Sequence, residues 1–277
     1  MKKRILTIQD YSCLGRCSLT VAIPLISTCG IEVVGLPTAI FSNHTAFPHW
    51  KSVDLSDYLE TFIHEWDEYN LDFAAIYTGY LSDGQIPIVE RIISSQKKDK
   101  TIVFVDPAFA DNGKIYAGFG EEHTSMMAGL ISKADLIKPN VTEACLLTKT
   151  KMFNGKERLS SYIKLSDKLL ELGSKAIVLT GLSNKKGKIG CLIRNKDICK
   201  AIYFKRLEGN YHGTGDLFSS ALISSLIKGK DLEASVRIAH YAVSSSIKEN
   251  LKNHIDGKLY GPEFEINLPR IALKVNK

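Results

Sequence analysis

Apolar positions along the chain follow two rhythms. Short runs rich in β-branched residues, at Ile5–Ile8, Glu32–Leu36, Phe73–Thr78, Thr101–Val105, Ala134–Ile137 and Ala176–Thr180, have the length of buried strands. Between them, Leu19–Ser27, Leu55–Tyr69, Ile86–Ser95, Thr142–Leu147 and Leu159–Leu172 repeat their apolar residues at helical spacing. This alternation predicts an α/β fold, a mostly parallel central sheet with helices on both faces, because parallel neighbours need a crossover that a helix supplies. The rhythm changes near the end. Gly190–Ile193 and Ile202–Phe204 predict a hairpin around Arg194-Asn195-Lys196-Asp197, followed by helices over Gly215–Ile227 and Leu232–Asn250.

No linker rich in Pro, Gly or Ser interrupts this pattern, and no internal repeat is present, so residues 1–277 read as a single domain. Thr38–Ser52 and Asp106–Glu122 are the least regular long segments, and loops of that length in an α/β domain usually carry function. Ligands in such sheets gather beyond the carboxyl ends of the strands. The residues just after each predicted strand are therefore where chemistry is expected.

Composition narrows the possibilities. The chain is 44% hydrophobic and 24% charged with a net charge of +6, and its basic clusters (Lys2–Arg4, Lys97–Lys100, Lys185–Lys188) lack interleaved aromatics. That is a solvated surface rather than a nucleic-acid footprint. The apolar stretch after Met1-Lys2-Lys3-Arg4 is too short for a signal peptide, and Val21–Phe41 contains Pro24, Glu32 and Pro37, which exclude a membrane span. A cytoplasmic protein without membrane attachment is expected. Six cysteines form no C-x-x-C pair. Cys13 and Cys17 lack a second cluster to complete a metal site, so reduced thiols are expected.

Gly213-Thr214-Gly215-Asp216 precedes an amphipathic helix. Glycines let backbone N–H groups converge at a helix start, which attracts anions, phosphate above all. A carboxylate placed there would repel phosphate unless it acts on something else, and a hydroxyl that attacks phosphorus fits that need. A capping turn with Thr214 as cap is the alternative. Asp106-Pro107, Asp111-Asn112-Gly113 and Pro139-Asn140-x-x-Glu143 offer hard oxygen ligands at strand ends, suited to Mg2+ carried with a nucleotide, or else serve as caps and turns. Phe41-Ser42-Asn43-His44-Thr45 forms a polar lip in the long loop, where His44 reads as a base or as a hydrogen-bonding residue. Neither a Walker loop nor G-x-G-x-x-G is present.

Taken in order, Phe41-Ser42-Asn43-His44-Thr45, Thr78-Gly79-Tyr80, Asp106-Pro107, Pro139-Asn140-Val141-Thr142-Glu143 and Gly213-Thr214-Gly215-Asp216-Leu217-Phe218 resemble the pyridoxal kinase family of the ribokinase-like superfamily. The resemblance covers Ile8 to about Asn250, and Gly15-Arg16-Cys17-Ser18-Leu19-Thr20 resembles its bacterial pyridoxamine/pyridoxine kinase branch. It implies a three-layer ribokinase-like fold and ATP-dependent phosphorylation of the 5′-hydroxymethyl group of a vitamin B6 vitamer. By matching positions, Asp216 is the base and Gly213, Thr214 and Gly215 the anion hole. Asp10, Ser42, His44, Thr45 and Tyr80 line the acceptor site. Asp106, Asn140, Glu143 and Thr180 serve ATP, with Asp106 and Glu143 toward the metal. The resemblance implies Mg2+, admits a monovalent cation, and implies a homodimer. The chain departs from it twice: Asp10 stands where Ser is usual, and Lys138, which is expected to supply positive charge to a phosphate, where Thr or Ser is common. Asp10 is expected to meet the pyridine nitrogen, or else to cap the next turn or pair with Arg16. Hydroxymethylpyrimidine kinase and a non-catalytic small-molecule sensor of the same fold are the alternatives.

Overall fold

The computed structural model describes residues 3–116, 118–184, 186–209 and 211–277. In chain order the elements are β1 (Arg4–Ser12), α1 (Leu19–Thr28), β2 (Glu32–Phe41), β3 (Ser52–Asp54), α2 (Ser56–Asp67), β4 (Ala75–Thr78) and α3 (Gln85–Gln96). Then come β5 (Ile102–Val105), β6 (Ala110–Asp111), β7 (Lys114–Ile115), α4 (Glu121–Ile131), β8 (Leu136–Ile137), α5 (Val141–Leu147) and α6 (Leu159–Glu171). The remainder is β9 (Ala176–Ser183), β10 (Lys188–Asn195), β11 (Cys199–Lys205), α7 (Thr214–Ile227), α8 (Leu232–Asn253), α9 (Gly257–Tyr260) and, after a short 3-10 turn, α10 (Leu268–Asn276).

These elements form two compact units. The first comprises the described residues of Met1–Gly79, Arg91–Thr101 and Leu207–Lys277. Its strands run in the order β4-β1-β2-β3, with β1 parallel to both neighbours and β3 antiparallel to β2. Ile5 to Asp10 are all buried, so both faces of β1 are covered, as a strand inside a parallel sheet requires. Helix α1 packs on β1, β2 and α7, and α7 on α8. Strand β2 runs past the predicted Leu36 to Phe41 in spite of Pro37. The register with β1 shifts between Gln9 and Tyr11, next to Pro37, and such an irregularity accommodates a residue that has no N–H to give. The irregular stretch therefore shortens to the turn between β2 and β3.

The second unit comprises Tyr80–Glu90 and the described residues of Ile102–Arg206. Its strands run in the order β11-β10-β9-β8-β5, with β5, β8 and β9 parallel and the predicted hairpin β10–β11 antiparallel at the edge. Strands β6 and β7 pair in a small separate hairpin. Asp106–Glu122, expected to be irregular, thus contains structure, and α4 begins within its last two residues. That helix escapes the periodicity because its buried stripe of His123, Met127, Leu130 and Ile131 contains a histidine. Helix α10 escapes it because only Ile271 and Val275 are buried.

Candidate active site

In the first unit the start of α7 meets the loop after β1. Gly213 is the cap of α7 at φ 79°, and a Cβ there would run into the Arg16 carbonyl oxygen, so only glycine permits this approach. The Leu217 N–H donates to the Gly213 carbonyl, leaving the N–H groups of the first turn directed out of the helix. Thr214 is not the cap; its hydroxyl donates to the Tyr211 carbonyl at 3.2 Å. Gly215 is exposed and Asp216 half-buried.

Asp216 Oδ2 accepts the Ser18 N–H at 2.9 Å. Ser18 precedes α1, where a serine would ordinarily cap the helix. Instead it holds φ 48°, ψ −131°, makes no cap bond, and donates its hydroxyl to Asp10 Oδ1 at 2.5 Å. Ser12 donates to Asp10 Oδ2 at 3.0 Å. One serine thus links two carboxylates. Burial pushes the Asp10 carboxyl above its usual value, against the pull of these two hydroxyls. Burial, then the charges of Asp10 and Asp216, push the Cys17 thiol well above its usual value, which makes it a poor nucleophile. Arg16 does not pair with Asp10: its Nε donates to Glu265 Oε1 at 2.6 Å and Nη1 to the Tyr260 carbonyl at 3.1 Å.

His44 is buried, and both ring nitrogens are used. Nδ1 accepts the Ala46 N–H at 3.2 Å, which puts the proton on Nε2, donated to the Leu259 carbonyl at 2.7 Å. Its ring stacks on His212 with centroids 3.9 Å apart. Burial lowers the pKa of both, that of His212 to about 4 with help from the His44 charge. Of the two roles open to His44, the geometry matches the hydrogen-bonding one. Ser42 sits in the turn after β2, donating to Asn43 Oδ1 at 2.8 Å, and Thr45 is exposed nearby.

The second unit carries the remaining candidates. Parallel pairing of Val105 with Ile137 makes Asp106 and Lys138 the next neighbours along β5 and β8. Both are buried, with Lys138 Nζ 2.8 Å from Asp106 Oδ2. Asn140 and Glu143 form a capping box on α5: the Glu143 N–H donates to Asn140 Oδ1 at 3.0 Å and the Asn140 N–H to Glu143 Oε2 at 2.8 Å. Glu143 Oε1 accepts the Phe109 N–H at 3.1 Å, and Asn140 Nδ2 donates to the Ala110 carbonyl at 2.7 Å, so the box also fixes the loop after β5. Burial, then the Asp106 charge, raise Glu143 to about 8. The Thr180 N–H donates to the Pro139 carbonyl at 3.0 Å. Tyr80 packs on Phe119 (5.3 Å between centroids), which stacks on buried His123 at 3.9 Å.

With one Asp106 oxygen on an ammonium and both Glu143 oxygens on backbone N–H groups, these side chains do not make a metal cage. Among the described residues no three His, Cys, Asp or Glu side chains gather to hold an ion. Mg2+ carried by phosphates and water is a separate matter, being substrate. Ser12 is a functional candidate that motif reading does not select, and the contacts of Ser18 and Lys138, both met in the motifs, go beyond it. Ser18 had a signal, a serine at a predicted helix start, but it pointed to a cap.

Comparison with known proteins shows the family. Residues 54–262 match the family described as phosphomethylpyrimidine kinase. The pyridoxal kinase of Dictyostelium discoideum is 30% identical over 246 residues, covering 82% of this chain and 80% of that protein. A Bacteroides thetaiotaomicron structure named for phosphomethylpyrimidine kinase, solved with pyridoxal, superposes with a TM-score of 0.92 at 31% identity over 98% of this chain and 96% of that one. Pyridoxal kinase from Lactobacillus plantarum gives 0.89 at 26% identity, over 99% and 98%. The parallel strands and their flanking helices are therefore those of a ribokinase-like kinase, and the chain belongs to the phosphomethylpyrimidine kinase family, among its pyridoxal kinases.

Proposed function

We propose that this chain transfers the γ-phosphoryl group of MgATP to the 5′-hydroxymethyl group of a vitamin B6 vitamer. The observation that carries this reading is Asp216, in the first turn of α7 and oriented by the Ser18 N–H, beside helix-start N–H groups that suit a phosphoryl oxygen. The acceptor oxygen forms its bond to phosphorus as the bond to the ADP oxygen breaks, and Asp216 accepts the hydroxyl proton. In a loose transition state most of the acceleration comes from positioning and charge, with proton transfer late. Mg2+ arriving on the nucleotide neutralises phosphate charge. Asp106, Asn140, Glu143 and Thr180 shape the nucleotide side, the two acids through their buried bonds rather than as direct ligands. Asp10, Thr45 and Tyr80 are assigned to the acceptor, with Asp10 toward the ring nitrogen. His44 acts as a neutral support, and Ser42 holds the turn.

The match to phosphomethylpyrimidine kinase supports a second reading, phosphorylation of hydroxymethylpyrimidine. Incubation with MgATP and, separately, pyridoxal, pyridoxine, pyridoxamine or hydroxymethylpyrimidine, followed by ADP release, decides between them. Turnover with hydroxymethylpyrimidine alone removes the vitamer reading, and no turnover with any of them leaves the sensor. Solved relatives matched over nearly their whole length support one kinase domain over residues 1–277. Exposed Ile40, Val53, Trp50 and Tyr58 around the β2–β3 edge support a homodimer. Six free cysteines are in keeping with a cytoplasmic setting, and among the described residues no helix is long and apolar enough to cross a membrane.

A further inference from the structure

Asp106 and Glu143 are 3% and 2% exposed, and a carboxylate buried to this degree needs a cation beside it whenever it is ionised. Lys138 reaches them from the end of β8, itself only 6% exposed, with Nζ on Asp106 Oδ2. Glu143 lies near enough to be opposed by the Asp106 charge and favoured by that of Lys138. The Cys191 thiol also faces this ammonium; it is buried and held in its neutral form, so it does not compete for the charge.

We propose that the Lys138 ammonium is the resident cation of this cluster, standing where a bound monovalent metal ion would otherwise balance the acids, so that the chain works without one. A family with Thr or Ser at this position presents a neutral oxygen there; Lys138 presents a full positive charge tethered to the strand. An ammonium fixed by the backbone needs no capture from solution, and its occupancy does not vary with salt composition. The consequence for turnover rests on the kinase reading above, whereas the consequence for ion-dependent stability does not.

The test compares KCl, NaCl and choline chloride at one ionic strength of about 0.1 M, so that screening of surface charge is common to all three. Wild-type melting temperature is expected to agree among the salts within about 1 °C, since an ion that binds only the folded state would raise it by mass action. Wild-type turnover at saturating MgATP and acceptor is expected to agree within about 1.5-fold, because no step awaits an ion. Lys138→Thr leaves the acids unbalanced and opens room for an ion. It is expected to melt several degrees lower in choline, about 5 °C or more, and to recover in KCl or NaCl. Its turnover should rise with the same ion. Lys138→Arg keeps a fixed cation and should stay insensitive to salt. A wild type whose melting temperature and turnover both climb in KCl over choline overturns the proposal, as does a folded Lys138→Thr that responds to no metal ion. Should Lys138→Thr fail to fold in any salt, the wild-type and Lys138→Arg comparisons carry the decision alone. A chain inactive on every acceptor but with salt-independent melting refutes the kinase reading and leaves the resident cation standing.

Discussion

Asp10 and Asp216 in the first unit are joined through one serine, whereas Asp106 and Glu143 in the second are bound by an ammonium and by backbone amides. Hydroxyl and N–H donors orient a carboxylate and leave its net charge in place. An ammonium at 2.8 Å cancels that charge, and a capping box uses both carboxylate oxygens to shape a loop. The first arrangement suits a group that accepts a proton, the second a group that holds a frame and offsets charge. Two clusters with similar acids are thus expected to respond differently to the same kind of substitution.

The sharpest test is Asp216→Asn. It keeps an oxygen for the Ser18 N–H, so folding and nucleotide affinity should change little. Removing a positioned base should lower kcat by about two or more powers of ten. If the variant keeps more than about a third of wild-type turnover, Asp216 is not the base and the contrast between the clusters loses its functional half.

Glu143→Ala should act on stability instead. It leaves the Asn140 and Phe109 N–H groups without their acceptor, at about 1–3 kcal/mol each, and removes half of a capping box. Denaturant unfolding should reveal a loss of a few kcal/mol, and nucleotide KM should rise more than kcat falls. A variant as stable as wild type but with Asp216-like loss of kcat would place Glu143 in the chemistry.

Ser18 separates geometry from bonding. Ser18→Ala loses the hydroxyl bond to Asp10 but keeps the backbone N–H to Asp216, and it must still adopt φ 48°. Ser18→Gly loses the same bond and relieves the backbone. Both should lower kcat by roughly three- to tenfold through a looser Asp216, a modest fraction of the loss expected for the base itself. The glycine variant should be the more stable by about 1 kcal/mol. Equal melting temperatures would mean that the backbone at Ser18 is not strained, and unchanged turnover in both would remove Ser18 from the site.

The fold was legible in the sequence wherever burial made a regular pattern. Ile5–Ile8 and Ala176–Thr180 sit within strands, and Leu159–Leu172 within one residue of a helix, because their apolar residues keep one period. Helix α4 was hidden by a buried histidine, and the far half of β2 by Pro37. The Asp216 turn was legible as a helix start because its two glycines stand directly before an apolar stripe at helical spacing. The contacts of Ser18 and Lys138 were not, since each depends on a partner far away in sequence or on strand register. Ser18 meets Asp216 198 positions later, and Lys138 meets Asp106 only because Val105 and Ile137 pair.

The smallest effect expected concerns pH and the support beneath the first cluster. His212 is held in its neutral form, its pKa lowered from 6.5 to about 4 by burial and then by the like charge of His44 stacked on it. The unfolded chain takes up this proton near pH 6.5, the folded chain only near 4, so stability present above 6.5 is lost as pH falls through that window. The shift caps the loss at about 3 kcal/mol, and relaxation of the half-buried ring should reduce it. His212→Phe keeps a flat ring against His44 and removes the titration. Melting temperatures from pH 7 down to 4 should therefore fall less steeply in the variant than in wild type. His123 and His240, whose pKa values are also lowered, contribute equally to both proteins, so the difference belongs to the stacked pair. Parallel curves would mean that His212 takes up its proton at the same pH folded and unfolded, near 6.5, and is charged below it. Its stack with His44 would then pair a cation with a ring rather than two neutral imidazoles, and the second unit's ammonium would no longer be the feature that sets the two clusters apart.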